Sequence, residues 1–151
     1  MDTHQDVAVN PNPENPHPEG LTVAQCWAQL REGVVARVAV EHDGRPDIFP
    51  VNYAVDHGTV VFRTGSGTLF TSAAGSHVAF EVDGYSVNDA AAWSVVLRGL
   101  AEEVHELDDV LDAMQLPLLP WHEGPKPRIV RIHPDSVTGR RFVVRGGHAL
   151  P

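Results

Sequence analysis

Residues 47–64 read DIFPVNYAV, DHG and TVVFRT in succession. Two runs rich in β-branched and aromatic residues flank a short Asp-His-Gly turn, which is the pattern of an antiparallel hairpin. Upstream, residues 34–42 (VVARVAVEH) form a third such run, joined to the others through Asp43-Gly44-Arg45-Pro46. Three strands linked by tight Asp/Gly turns make a meander. Pro50 interrupts the middle run. A proline cannot donate to a ladder, so this strand has an edge, a bulge or a break there.

Three more strands follow: residues 78–84 (VAFEVDG), 93–104 (WSVVLRGLAEEV) and 128–133 (RIVRIH), with residues 137–145 (VTGRRFVVR) adding to the last. The stretch GSGTLFTSAAGSH at 65–77 reads as a polar loop, and LPLLPWHEGPKP at 116–127 as a Pro-rich one. Two short helices complete the chain. In the first, Thr22 and Gln25 have capping-box spacing, Val23, Cys26, Trp27 and Leu30 recur at helical intervals, and Gly33 stands where a helix ends. The second covers 106–114, with Leu107, Val110, Leu111 and Met114 on one face. The predicted fold is mainly β: a six-stranded antiparallel barrel with two or more short helices.

The 151 residues suffice for one domain with a sizeable core. Residues 1–20 hold four Pro and four acids and no Lys or Arg, a composition expected to stay disordered, so the domain is placed at 21–151. The single cysteine, Cys26, excludes an intramolecular disulfide, and the N-terminus lacks the basic and apolar regions of a signal peptide. A cytoplasmic location without membrane insertion is expected. A formal net charge of −9 disfavours a nucleic-acid partner.

The nine histidines form no HExxH or i, i+4 pair, and there is no CxxC, GxSxG or Walker A signature. Three fragments hold chemistry instead. RTGSGT at 63–68 combines Arg63 with hydroxyls and glycines, which suits an anion such as a phosphate; taken alone it reads more readily as a polar loop beside a surface arginine. Pro50-Val51-Asn52-Tyr53 offers interrupted backbone, an amide and an aromatic ring, and Trp93-Ser94 a stacking face and a hydroxyl. Packed edge and core residues are the plain alternatives for both.

In this order, Cys-Trp, ARVAV, DGRP, PVNY, VVFRT-G-GT, VAFEVD, WSVVLRG and VTGRR resemble the pyridoxamine-5′-phosphate-oxidase-like FMN-binding split barrels, in their small actinobacterial-type and nitroimidazole-resistance-related branch. The resemblance runs from Leu21 to Arg141. It implies a split barrel, a homodimer with FMN at the subunit interface, and a small-molecule substrate. Carried over, Arg37 and Val38 flank the flavin; Pro50, Val51, Asn52 and Tyr53 approach its ring; Arg63, Thr64, Ser66 and Thr68 approach the phosphate and ribityl chain; Trp93 and Ser94 line the ring site; and Arg140 stands at its C-terminal edge. Relatives commonly carry Lys where this chain has Leu69, which removes a cation from the phosphate region. The resemblance therefore implies an FMN-dependent oxidoreductase first. A deazaflavin-dependent reductase and a non-enzymatic split barrel that binds or sequesters a cofactor, heme among those found in relatives, are the alternatives.

Overall fold

The computed structural model describes residues 20–118 and 127–143. Its elements in chain order are α1 (Val23–Glu32), β1 (Val35–His42), β2 (Arg45–Asp56), β3 (Thr59–Thr64), α2 (Thr68–Ala73), β4 (His77–Ser86), β5 (Ala91–Glu103), α3 (Leu107–Met114) and β6 (Arg128–Val143). The strands close into one antiparallel barrel, β1-β2-β3-β6-β5-β4, with β4 returning to β1. The expected barrel and its six strands are thus present, with three helices. Residues 1–19, residues 119–126 of the Pro-rich loop, and residues 144–151 lie outside the described residues.

Both early hairpins turn on two residues with positive φ: Asp43 (53°) with Gly44 (74°), and His57 (48°) with Gly58 (73°). That pairing suits the tight turn whose twist matches the flanking strands. The first turn is narrower than the sequence suggests, because Arg45 and Pro46 already pair with His42 and Glu41. The barrel interior is filled by Val38, Val60, Phe62, Phe80, Val82, Val95, Leu97, Val130 and Ile132, all at most 2% exposed. Side chains of this kind contribute about 1.5–3 kcal/mol each when fully buried.

The first helix forms as its capping box dictates: the Gln25 amide donates to Thr22 Oγ1 (3.1 Å), and the Thr22 amide donates to Gln25 Oε1 (2.8 Å). Cys26 and Leu30 then enter the core, where burial pushes the Cys26 thiol pKa up. Gly33 ends the helix in extended backbone (φ −74°), not the left-handed form. Its requirement is spatial: a Cβ there would strike the Tyr53 hydroxyl.

One sequence expectation changes. Residues 68–73, placed in a loop, form α2, which buries Leu69 and Ala73 and has no side-chain cap. The two pieces of the last strand join, as expected, into one continuous β6 of 16 residues. It passes through Pro134, which faces Gly99 beside a register shift at Arg98/Gly99. A Cβ on Gly99 would meet the His133 carbonyl, so the close approach requires glycine. Outside the barrel, Val61, Ala113 and Ile129 form a small second cluster that seats α3.

Candidate cofactor site

The barrel is closed but opens along one seam. β2 pairs with β1 over Arg45–Asn52, whereas it pairs with β3 only over Tyr53–Asp56. Beyond the Tyr53–Phe62 pair the two strands part. Pro50, Val51 and Asn52 stand on one side of the split; Arg63 and Thr64, which pair only with β6, stand on the other with the Ser66-Gly67-Thr68 corner. All of these but Gly67 are residues singled out from the sequence as candidate site residues.

Hydrogen-bond parity explains the proline. The Tyr53 amide donates to the Val34 carbonyl (3.2 Å), and alternate pairs toward the hairpin repeat this pattern. Pro50, opposite Arg37, and Pro46, opposite Glu41, fall on the intervening pairs, where backbone groups point away from β1 into the split. The missing amides leave no ladder bond unmade. Pro50 therefore occupies an edge, one of the three settings its sequence position allows.

The Ser66 corner is tied to β6 by Arg128, a residue the sequence reading did not select. Arg128 donates through Nε to Ser66 Oγ (3.2 Å) and through a terminal nitrogen to Glu103 (2.8 Å), and stacks 4.8 Å from the Phe70 ring centre. The hydrogen bond and charge of Arg128 hold the Glu103 carboxyl pKa below its usual range. Two exposed hydroxyls, two arginines and an uncrowded Gly67 thus adjoin one end of the split. That donor set fits an anionic phosphate. Leu69 contributes nothing to it, because its side chain is buried in the barrel core.

Strand alternation sorts the remaining site residues. Val38, Val51 and Tyr53 face inward and are core residues at 0%, 5% and 4% exposure. Tyr53 meets Phe80 edge-on (5.0 Å, 86°) and donates its hydroxyl to the Leu30 carbonyl (2.5 Å); burial pushes its pKa up to about 12. This side chain is committed to the core. Thr64 is also buried. Trp93 packs partly against the core, over the space a side chain on Gly84 would fill.

Arg37, Pro50, Asn52, Ser94 and Arg140 share the outward-facing alternation. Arg37 lies opposite Pro50 on one side and Glu81 on the other; Asp83 lies opposite Ser94, and Ser94 opposite Arg140. The link across this face is Arg37, whose Nη1 lies 3.4 Å from Glu81 Oε1 and 3.3 Å from Asp83 Oδ2. Neither acid was selected from the sequence, although VAFEVD places them two residues apart on one face of a strand. Burial and then the neighbouring Asp83 raise the Glu81 pKa to about 7, against the opposing pull of Arg37. Among the described residues no group of histidine, cysteine and carboxylate side chains could hold a metal ion.

A six-stranded antiparallel barrel split along one seam, with cationic and hydroxyl side chains gathered at the split, defines a split-barrel protein. The chain belongs to the pyridoxamine 5′-phosphate oxidase family, whose model matches residues 22–141. The FAD binding protein from Mycobacterium smegmatis is 36% identical, with a TM-score of 0.72 over 82% of this chain and 97% of that one. An uncharacterized protein of Mycobacterium tuberculosis is 38% identical over 113 residues, covering 71% of this chain and 74% of its own length. A FAD-binding protein from Mesorhizobium loti, 23% identical with a TM-score of 0.70 over 82% of this chain and 96% of that one, shares the fold.

Proposed function

We propose that the protein is a flavin-binding oxidoreductase that holds FMN at the barrel split and acts as a homodimer on a small-molecule substrate. The observation that carries the reading is the convergence at the split: Pro50 and Asn52 on the β2 edge face Arg63, Ser66 and Thr68 across it, with Arg128 holding the corner. Family membership and the 36% identity to a protein described as FAD binding support a flavin as the ligand. The flavin would supply the hydride or electron transfer. Arg63, Ser66 and Thr68 would hold the phosphate, the β2 edge would border the ring, and the protein would orient it.

A subunit interface on the outward face draws support from Ile48, Tyr85 and Phe142, large apolar residues that are 62%, 57% and 41% exposed there. Purification tests the cofactor: a yellow protein with two-band flavin absorbance, one FMN per subunit, and a dimer by light scattering are expected. Fluorescence titration with FMN, FAD and the deazaflavin coenzyme ranks the ligands. A colourless monomer that ignores all three overturns the reading.

A further inference from the structure

Arg128 joins β6 to the Ser66 corner, to α2 and to β5. It pairs with Thr64 of β3, and Glu103 of β5 lies opposite Val130, two residues further along the same strand. Its guanidinium is held from three directions. Nε donates to Ser66 Oγ at 3.2 Å, Nη1 donates to Glu103 Oε1 at 2.8 Å, and the central carbon lies 4.8 Å from the centre of the Phe70 ring on α2. The Glu103 side chain is only 21% exposed, whereas that of Arg128 is 41% exposed. The third nitrogen, Nη2, has no hydrogen-bond partner among the described residues. An arginine fixed at two nitrogens by the protein and open at the third is arranged to receive an acceptor from outside.

The bond to Ser66 also sets the polarity of the corner. A serine hydroxyl has one proton to give and two lone pairs to offer. Arg128 occupies a lone pair, which leaves the Ser66 proton for an acceptor outside the protein. Ser66, Gly67 and Thr68 are all exposed, and a Cβ on Gly67 would meet nothing within 4 Å, so the corner is open on that side. We propose that Arg128 and Ser66 form one phosphate-recognising unit, in which Arg128 contacts the phosphate of the flavin directly and also turns the Ser66 hydroxyl toward it. This inference rests on the flavin reading given above and adds a cation from β6 to the phosphate contacts drawn from β3 and the loop after it. Glu103 offsets part of the Arg128 charge, so the contribution is chiefly one of direction: two donors fixed at one corner, which a point charge does not reproduce.

The test compares FMN with riboflavin, which lacks the phosphate, by fluorescence quenching. Arg128→Met keeps an unbranched side chain against Phe70 and removes the donors. It is expected to weaken FMN about ten- to a hundredfold and to leave riboflavin within about twofold, a split that a merely structural role would not produce. Arg128→Lys keeps the charge but has one nitrogen for two partners, and is expected to lose nearly as much; full FMN affinity with lysine overturns the paired arrangement. Ser66→Ala is expected to weaken FMN about tenfold, and to cost little more in the Arg128→Met background, because the two residues act as a unit. Fully additive losses overturn the proposal. Should Arg128→Met fail to fold, Arg128→Lys and Ser66→Ala carry the same comparison. Equal losses of FMN and riboflavin in a folded Arg128→Met assign the residue to the shape of the corner, and unchanged FMN affinity removes it from the site; either result overturns the inference and leaves the flavin reading standing. A wild-type protein that binds no flavin overturns both.

Discussion

The Tyr53 hydroxyl occupies the space that a side chain on Gly33 would need, and from there it donates to the Leu30 carbonyl in the last turn of α1. One residue on β2 thereby ends the helix, fills the core against Phe80 and fixes how α1 enters β1. Gly33→Ala must displace that hydroxyl, and Tyr53→Phe must leave a buried carbonyl without its donor. Each is expected to lower stability by about 2 kcal/mol, read as a drop in urea midpoint at unchanged m-value. Equal stability of Tyr53→Phe and wild type would show that water replaces the hydroxyl.

Glu81 makes stability depend on pH in the opposite sense to an ordinary salt-bridged acid. Its folded pKa, about 7, lies above the unfolded carboxylate value of about 4.3, so the folded state binds the extra proton. The stability it contributes is complete below pH 4 and is lost as pH rises through 7. Glu81→Gln is expected to melt about 3 °C above the wild type at pH 8, with the gap closing at pH 5. Differential scanning fluorimetry across that range checks it; a variant no more stable at pH 8 than at pH 5, relative to wild type, refutes it.

Asp56 behaves conversely. Burial pushes its carboxyl pKa up, but hydrogen bonds and charge from Arg131 and His57 outweigh that and hold it below the usual range. The Arg131 guanidinium donates to Asp56 (2.9 Å) and Thr59 Oγ1 (2.6 Å), and both charged side chains are mostly buried. This contribution is present above the unfolded pKa and disappears as pH falls through the folded one. Arg131→Met is expected to cost about 2 kcal/mol at pH 7 and markedly less at pH 3, measured by chemical denaturation at both pH values.

On the proposed reading, Arg63 would separate phosphate recognition from ring recognition. Arg63→Ala is expected to weaken FMN roughly ten- to a hundredfold, the worth of one charge-assisted contact, while leaving riboflavin affinity within about twofold. Fluorescence quenching with the two ligands reads the difference directly. Parallel losses for both ligands would place Arg63 against the ring or in the folding of the loop.

The strands were legible because their alternation and turn residues agree locally with the fold, as at Asp43-Gly44 and His57-Gly58. The helix α2 was not. Its six residues carry no capping side chain, and a helix so short persists only because Leu69 and Ala73 are buried by the barrel. The continuity of β6 through Pro134 was expected, but the irregularity that accommodates it depends on Gly99, thirty-five residues earlier. The candidate site was named chiefly through resemblance. Resemblance named Pro50, Asn52, Arg63, Ser94 and Arg140, but it did not distinguish side chains that face outward from those, such as Val38, Val51 and Tyr53, that hold the core. Glu81 and Asp83 carried a signal in their i, i+2 spacing, yet only the pairing of β1 with β4 brings Arg37 between them.

The prolines on the free side of β2 also bear on self-association. Of the four positions directed into the split, two have no amide hydrogen, and the Ile48 amide is already satisfied by Asp47 Oδ1 at 2.8 Å. A foreign strand seeking to extend the sheet there would find acceptors with hardly any donors to match its own carbonyls. The protein can thus keep an open seam for a small guest without offering other chains a template for aggregation.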